Sequence, residues 1–536
     1  MQLVGRINSM EAQERMLRDL DLPRLLCRMD TRMEEAEAIH FLQKYLCSEK
    51  EEILERSLLL GEFFEKSSRE ELDQLAEDLA SLEEERRKYN QSADRIHLLL
   101  YSARRAVIYT RCMGTIRSFG DRGFTSSRMQ SLVEEIRRIQ ETEAYRRCAA
   151  ALQEHQKIIT FPRRMGIAIN TREDARPAEM GVLWASGEEA NWNPLIGADD
   201  TSRQPNTLFP AMSYQREQYG THFEEYLSRN LEKQWKAKIG KALDLWKKVE
   251  LPNEQEVGAL AEEFAFYAVG IRVMQAFAQR GYALCRPQIV FEPLMQTERM
   301  VYPELALSTE KVQGNGVRLE NGGAVIVTGA NHSGKTSYLK TVGQILLLAQ
   351  LGFYVPATDL VFRPVHRIHT LFSAGEDSDM TASRMGIEVR ILAEILDQAK
   401  AEDLVLINEP LTSTNPVEAI SICADLIQKL LRNRVSCLVV THLYDVYFLL
   451  RSTMPKEFQS QLKSLVTLAR YEEHQGMIYS YQLIESEPQG TSYAMQTAES
   501  FGITLKDLIH NAADITKAQE FCEEEGKRPM YTGEEV

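Results

Sequence analysis

The chain has 536 residues, of which 44% are hydrophobic and 26% are charged. This composition is ordinary for a globular protein and excludes a chain that is disordered throughout. Lysine and arginine number 63 and aspartate and glutamate 78, so the formal net charge is −15. That charge argues against a protein that coats nucleic acid through its overall charge, but it does not exclude a local basic face.

Targeting signals and cysteine usage bear on the cellular compartment of the protein. Apolar runs such as 345–349 are far too short for a membrane span, and residues 1–15 lack the apolar stretch of a signal peptide. The eight cysteines form no C-x-x-C pair, and none lies beside a histidine at metal-ligand spacing. Such usage indicates reduced thiols in a core. We therefore expect a cytoplasmic protein with no zinc site and no membrane partner.

Changes in pattern along the chain predict five regions. The first, 1–155, has helical leucine spacing and is an N-terminal helical core region; 156–215 is a small mixed α/β module. Helical patterns return over 216–300, where a second helix is predicted from 254 onward. Over 301–515, strand-like and helix-like runs alternate, as in a parallel sheet with crossover helices. An acidic tail, 516–536, is predicted to be disordered.

The region 216–300 contains one amphipathic stretch. Trp235, Ile239, Ala242 and Trp246 share one face of the predicted helix, and lysines fill the other positions. The lysines are Lys233, Lys236, Lys238, Lys241, Lys247 and Lys248. They fit contacts with DNA phosphates and a solvated helix face equally well, so both interpretations stay open.

The most specific motif is G-A-N-H-S-G-K-T at 329–336, which fits G-x-x-x-x-G-K-[ST] at every fixed position. It follows an apolar run and precedes a predicted helix, as a phosphate-binding loop must, because backbone N–H groups and the helix N-terminus face the phosphates. Lys335 should reach the β and γ phosphates, and the Thr336 hydroxyl should ligate Mg²⁺. The predicted ATP-binding residues are Gly329, Ala330, Asn331, His332, Ser333, Gly334, Lys335, Thr336 and Ser337.

Two further predicted strands end in groups suited to hydrolysis. The run 404–407 is followed by Asn408 and Glu409, and another run ends at Thr441 and His442. Glu409 would orient or deprotonate the attacking water, and Asn408 stands where an aspartate usually completes the Mg²⁺ shell. His442 would bond the γ-phosphate or the water. Alone, Glu409 or His442 would fit a structural role; beside the loop, both favour catalysis.

These motifs resemble the ATPase domain of the MutS family of DNA mismatch-repair and recombination proteins. L-G-F-Y-V-P-A at 351–357 is similar to the family's I-G-S-Y-V-P-A, and S-R-M-G-I-E at 383–388 matches S-T-F-M-V-E at its ends. T-S-T at 412–414 and T-H at 441–442 also match. The segment S-Y-A beginning at 492 is similar to the family's closing S-Y-G. The resemblance also implies that the helices of 216–300 are levers leading into the ATPase.

The resemblance implies a fold class: a multidomain protein with a mainly α-helical core and lever region, a small mixed module, and an α/β P-loop ABC-type ATPase domain. It implies ATP and Mg²⁺ as ligands and a homodimer formed through the ATPase domain. Glu409 and His442 would be catalytic, and Thr336 and Asn408 would hold Mg²⁺. Ser383 would act in trans, on ATP held by Lys335 of the partner subunit.

Three departures from the family pattern affect these expectations. Asn408 replaces the Walker B aspartate and removes a negative charge beside Mg²⁺, so we expect slow hydrolysis. The segment after Glu409 is two residues shorter than the family's E-I-G-R-G-T-S-T, which puts coupling between sites in doubt. We also expect no N-terminal mismatch-reading domain, because the F-x-E motifs at 63–65 and 223–225 lie in helical patterns and not in a wedge.

The predicted function is a dimeric, ATP-driven DNA clamp in mismatch repair or recombination control, which recognises DNA shape or branches. The alternative is a MutS-type ATPase that switches a protein partner without binding DNA; the charge of −15 favours it. An unrelated kinase is disfavoured because it needs no signature loop acting in trans. The candidate DNA contacts are Arg163, Arg164, Lys247, Lys248 and the basic run 86–88.

Overall fold

The computed structural model describes residues 3–4, 13–159, 164–171, 173, 177–186, 212–213, 221–309, 311–372, 384–472 and 476–488. Contacts divide the chain into two units. Unit 1 comprises Met1–Val4 and Glu62–Ala268, and unit 2 comprises Gly5–Gly61 and Val269–Val536. Across the described ranges, no helix is both long and apolar enough to cross a membrane.

The N-terminal region is helical, as predicted. Its helices are α1 (Glu14–Asp19), α2 (Leu22–Met29), α3 (Glu35–Tyr45), α4 (Lys50–Lys66), α5 (Arg69–Gln91), α6 (Arg95–Asp121), α7 (Ser127–Glu141) and α8 (Glu143–Ile158). Helix α5 shows why the leucine spacing matters, since Leu72, Leu75, Leu79 and Leu82 are all buried along one face. Ser68 begins the helix by accepting a hydrogen bond from the Glu71 N–H at 3.1 Å.

The next part of the chain forms a small antiparallel sheet and then returns to helices. The elements are β1 (Arg164–Thr171), β2 (Pro177–Ser186), β3 (Met212–Ser213), α9 (Thr221–Trp246), α10 (Glu254–Gly258) and α11 (Ala261–Ala278). Both F-x-E motifs lie inside helices, α4 and α9, as predicted. The single helix predicted from 254 onward was wrong. It is two helices, because α10 ends at Gly258 and a 3₁₀-type bond from the Leu260 N–H to the Val257 carbonyl intervenes.

Residues 288–485 alternate strands and helices. The first elements are β4 (Gln288–Ile289), β5 (Met295–Met300), α12 (Pro303–Ala306), β6 (Asn315–Leu319), β7 (Ala324–Thr328), α13 (Lys335–Gln350), β8 (Val361–Phe362) and β9 (Ile368–Leu371). The later ones are α14 (Arg384–Gln398), β10 (Leu404–Asn408), α15 (Pro416–Arg432), β11 (Ser436–Val440), α16 (Asp445–Thr453), α17 (Lys456–Gln459), β12 (Leu462–Glu472) and β13 (Gly476–Glu485).

Unit 1 is held together by aromatic side chains and by an amphipathic helix. Phe63 lies 5.4 Å from Phe119 and 5.2 Å from Phe124, measured between ring centroids, with both pairs edge to face. Such pairs add about 0.5–1.5 kcal/mol each to the energy of burial. Along α9, Ile239 and Trp246 are buried while the lysines are exposed, which is the amphipathic division that the sequence predicts.

Unit 2 contains a six-stranded sheet in the order β13-β12-β7-β11-β10-β9. All neighbouring pairs are parallel except β12 and β13, which form an antiparallel hairpin. Every residue of β7, β10 and β11 is buried, as expected for parallel strands covered by helices on both faces. A second sheet, in the order β4-β8-β5-β6, completes the unit. The predicted fold class therefore holds in outline, with helices and mixed α/β sheets.

The residues that join α1 to α2 pack on α13, in unit 2. The Gln344 side chain donates to the Leu20 carbonyl at 2.7 Å, and Lys340 pairs with Asp21. Thr370 in β9 donates to Asp19 at 2.6 Å. The contact division thus places residues 5–61 with the sheet of unit 2, whereas the sequence grouped them with 1–155. The other region boundaries stay predictions.

The packing of Leu20 on α13 generates a test at Gly343. A Cβ atom there would lie 2.7 Å from Leu20 Cδ2 and 3.1 Å from Leu406 Cδ1. We expect Gly343→Ala to lower the free energy of unfolding by about 1–3 kcal/mol through overpacking, despite the better helix propensity of alanine. Urea denaturation followed by circular dichroism measures this change.

Gly114 in α6 provides the matched control, because a Cβ atom there meets nothing within 4 Å. We expect Gly114→Ala to be neutral or to stabilise the protein by up to about 1 kcal/mol. Stabilisation by Gly343→Ala of the same size as at Gly114 would contradict tight packing between α13 and the N-terminal helices.

Candidate active site

The predicted site lies where three parallel strands end. In the sheet register, Val327 of β7 is level with Val440 of β11, and Val440 is level with Asn408 of β10. The Glu409 N–H continues this ladder by donating to the Val440 carbonyl at 2.8 Å, and the Thr441 N–H donates to the Val327 carbonyl at 3.1 Å. The groups that follow these strands therefore share one edge of the sheet, where open α/β sheets bind ligands.

The loop between β7 and α13 has a backbone with positive φ angles, which its glycines adopt easily. Gly329, His332 and Gly334 have φ angles of 145°, 62° and 91°. The left-handed region costs glycine little but costs other residues about 1 kcal/mol or more, so His332 is held there by its surroundings. Helix α13 begins directly at Lys335 and runs for 16 residues. Its free N–H groups and positive dipole end face the loop.

Lys335 is buried, and its ammonium group is satisfied within the loop. Nζ donates to the carbonyls of Gly329 and Ala330 at 3.0 and 2.9 Å, and it lies 3.7 Å from Glu409 Oε1. Burial lowers the pKa of Lys335, and the Glu409 carboxylate opposes that shift. The lysine is thus a desolvated positive charge, to which an anion would be strongly attracted.

Thr336 and Asn408 meet as two neutral oxygen groups. The Thr336 hydroxyl donates to Asn408 Oδ1 at 2.8 Å, and Asn408 is buried. This pair joins the start of α13 to the end of β10. Hard cations such as Mg²⁺ prefer oxygen ligands, so these two oxygens are suitable ligands for Mg²⁺. The pair carries no negative charge.

Glu409 and His442 form a second pair at the strand ends. Glu409 Oε2 lies 3.3 Å from His442 Nδ1. The hydrogen bond to His442, with the charge of Lys335, holds the pKa of Glu409 below its usual range, although burial acts against this. The carboxylate is therefore ionised at neutral pH. Glu409 has a φ of 47°, which turns the chain sharply at the end of β10.

A cleft of about 910 Å³ opens beside the loop. Among the predicted ATP-binding residues, Asn331, His332, Gly334, Lys335, Thr336 and Ser337 line it. Tyr302, Lys311 and Tyr481 also line it. Its size suits a drug-sized or nucleotide-sized molecule.

The structure brings some predicted residues together and leaves others apart. The loop 329–336, Asn408, Glu409 and His442 converge on one edge of the sheet. Lys247 and Lys248 are exposed in unit 1, where Lys247 pairs with Asp244 at 3.1 Å.

Several predictions fall on residues of which little or nothing is described. Ser383, Arg163 and the tail 516–536 lie outside the described residues. Arg164 begins β1, but its side chain is not described.

Sequence reasoning missed four residues that shape the site. Thr467 contacts the loop through Ser333, and the Tyr481 ring would lie 3.2 Å from a Cβ atom on Gly334. Asn315 holds β13 by donating to the Tyr481 carbonyl at 2.9 Å and accepting from the Leu483 N–H at 2.8 Å.

The fourth missed residue is Glu388, which is buried in α14 and accepts a hydrogen bond from the Leu411 N–H at 2.8 Å. Leu411 has a φ of 58° and follows Glu409 by two residues. Glu388 thus fixes the turn after Glu409. The last position of the S-R-M-G-I-E match was a signal for this residue; no local pattern marks the other three.

Comparison with known proteins relates one part of the chain to a family. Residues 325–520 match the profile of MutS domain V. This part of the chain is similar to the MutS family domain. MutS protein homolog 4 of Mus musculus is 29% identical over 212 residues, which cover 39% of this chain and 22% of that protein. The chain thus spans about a fifth of the length of this MutS relative. The matched range contains the loop 329–336, Ser383, Asn408, Glu409 and His442.

The contact between Glu388 and Leu411 generates a stability test. Glu388→Ala leaves the buried Leu411 N–H without this acceptor, so we expect the free energy of unfolding to fall by about 1–3 kcal/mol. Glu388→Gln keeps a side-chain oxygen and should lose less. Guanidinium denaturation of both variants measures the difference, and equal losses would show that the acceptor does not matter.

Proposed function

We propose that this chain is a MutS family member that binds and hydrolyses ATP at the cleft beside residues 329–336, and that ATP controls its binding to DNA. The observation that carries the proposal is the meeting of three groups at one sheet edge: a buried lysine, a neutral oxygen pair and a carboxylate–histidine pair. They lie in the region that matches MutS domain V.

Phosphate binding follows from the loop and from Lys335. Backbone N–H groups of 329–334 and the N-terminus of α13 would receive the phosphate oxygens. The Lys335 ammonium would exchange the carbonyls of Gly329 and Ala330 for phosphate oxygens. Because a phosphate anion favours the charged amine, this exchange would reverse the lowering of the lysine pKa by burial.

The Thr336 hydroxyl and Asn408 Oδ1 are the groups that would hold Mg²⁺. Bound with ATP, the ion would neutralise charge on the phosphate oxygens. An amide oxygen keeps the lone pairs of the usual aspartate but lacks its charge, so the affinity for the ion is weaker. The proposed enzyme is therefore a slow ATPase.

Hydrolysis is assigned to Glu409 and His442. An ionised Glu409 accepts a proton or a hydrogen bond from water, and the hydrogen bond to His442 fixes its direction. The lowered pKa of Glu409 makes it a weak base, which suits orienting water more than removing its proton. Glu388, through Leu411, keeps the turn after Glu409 in place.

The proposal extends to a homodimer in recombination control or mismatch repair. Ser383 of each chain would contact the ATP of the other. Shape or branching of DNA would be recognised, and the candidate phosphate contacts are Arg163, Arg164, Lys247 and Lys248. Exposure of the two lysines and the match of residues 325–520 to MutS domain V support this part.

A specific observation favours the alternative, a switch for a protein partner without DNA. In the basic run 86–88, Arg86 pairs with Glu83 at 2.5 Å and Lys88 pairs with Glu84 at 2.7 Å. These charges are neutralised within their own helix. The net charge of −15 acts in the same direction, because it repels DNA at long range.

ATP hydrolysis by the purified chain tests the proposal. We expect a slow rate that rises with duplex or four-way-junction DNA and falls between low and moderate salt, because phosphate contacts release counterions. Lys335→Ala should abolish ATP binding, and Glu409→Gln should abolish hydrolysis while ATP still binds. A folded wild-type chain that does not bind ATP would overturn the proposal. Hydrolysis that no DNA changes would favour the protein switch.

Asn408→Asp tests the assignment of the slow rate to the missing charge. The aspartate can still accept from Thr336, and a gain of about 1.4 kcal/mol in the transition state would raise turnover about tenfold. Asn433→Asp adds the same charge at an exposed position and should leave turnover unchanged. A rate equal to the wild type in Asn408→Asp would contradict the assignment.

A further inference from the structure

Two buried hydroxyl groups connect β12 to the phosphate-binding loop. Ser333 Oγ and Thr467 Oγ1 are 2.6 Å apart, and both residues are buried. They are 134 positions apart in the sequence. Ser333 lies inside the loop, at a position that the G-x-x-x-x-G-K-[ST] pattern leaves free, so the pattern does not explain the contact.

The direction of the hydrogen bonds follows from counting protons. Ser333 Oγ donates its single proton to the Ala330 carbonyl at 2.6 Å. It must therefore accept from Thr467, which donates. The Ala330 carbonyl also accepts from Lys335 Nζ at 2.9 Å and from the Ser333 N–H at 3.4 Å. A chain of bonds runs from Thr467 through Ser333 to a carbonyl that also holds the loop lysine.

Thr467 also packs against the first glycine of the loop. A Cβ atom on Gly329 would lie 1.8 Å from Thr467 Oγ1, so the two residues are in direct contact. The last pair of the parallel ladder between β12 and β7 is Val466 with Thr328. Thr467 is therefore the next residue of β12, level with the point at which the chain leaves β7 and enters the loop.

We infer that Thr467 is a positioning residue for the phosphate-binding loop, acting through Ser333 and Gly329. This inference rests on the proposed function. When Lys335 turns to a phosphate, the Ala330 carbonyl loses one of its three donors, and the hydroxyl of Ser333, at 2.6 Å, is the shorter of the two that remain. Thr467 holds that hydroxyl in place, so the loop keeps its shape while the lysine changes partners.

The consequence is that ATP binding depends on a hydroxyl outside the motif. Without this hydroxyl, ATP binding must also order the loop, and that cost weakens the affinity for ATP. The groups assigned to hydrolysis are not changed. Glu409 and His442 have no contact with Thr467 among the described hydrogen bonds. Turnover at saturating ATP should therefore change little.

The experiment measures binding of a fluorescent ATP analogue and the kinetics of ATP hydrolysis in the full chain. We expect Thr467→Val, which replaces the hydroxyl by a methyl group, to weaken binding about three- to tenfold. KM for ATP should rise by a similar factor while kcat stays within twofold. Thr467→Ser keeps the hydroxyl and should restore binding to within twofold of the wild type.

Two further variants complete the design. Ser333→Ala removes the middle hydroxyl and should weaken ATP binding by a similar factor. Combining it with Thr467→Val should add little, because both substitutions break the same series of hydrogen bonds. Ser464→Ala is the matched control, since that buried hydroxyl lies on the same strand and has no hydrogen-bond partner in the described part of the chain. It should bind as the wild type does.

The outcomes separate this role from the proposed function. Wild-type binding that Thr467→Val leaves unchanged would overturn the role of Thr467 and leave the ATP site standing. Weak binding in both Thr467→Val and Thr467→Ser would also overturn it, because packing and not the hydroxyl would then be responsible. If Thr467→Val does not fold, Ser333→Ala decides the question. A folded wild-type chain that binds no ATP would overturn both claims.

Discussion

The hydrogen-bond register of β7, β11 and β10 is the constraint on which the candidate site depends. A shift of one residue between parallel strands would move Glu409 and Asn408 by about 3.3 Å and would turn their side chains to opposite faces. The register is fixed because every residue of the three strands is buried among helices. The positions of the groups at the strand ends therefore depend on the packing of the core.

A buried positive charge is the second organising feature. The ammonium of Lys335 is removed from water, and it is stabilised by two loop carbonyls and by the nearby Glu409 carboxylate. The carbonyls of Gly329 and Ala330 therefore face the lysine, in a loop where Gly329 and Gly334 have positive φ angles. With asparagine at 408, Glu409 is the carboxylate that balances this charge.

Local patterns were sufficient to predict β7, β10 and β11, the loop between β7 and α13, and the residues at the strand ends. The loop 329–336 is continuous in sequence, and the buried parallel strands are continuous apolar runs, so both leave a local signal. Contacts between distant segments leave none. Thr467 reaches Ser333 across 134 residues, and Asp19 reaches Thr370 across 351. The helical pattern of α1 and α2 was visible, but their packing partner was not, so they were grouped with the wrong neighbours.

The docking of the first helices on α13 has a consequence for biosynthesis. Leu20 and Gln344 are separated by 324 residues, so the N-terminal helices leave the ribosome long before their binding surface exists. At bacterial or eukaryotic rates of translation the delay is on the order of 20–60 s. During that time the side chain of Leu20, which is buried in the native fold, has no native partner on α13. A chaperone that shields nascent apolar segments should therefore raise the yield of folded protein.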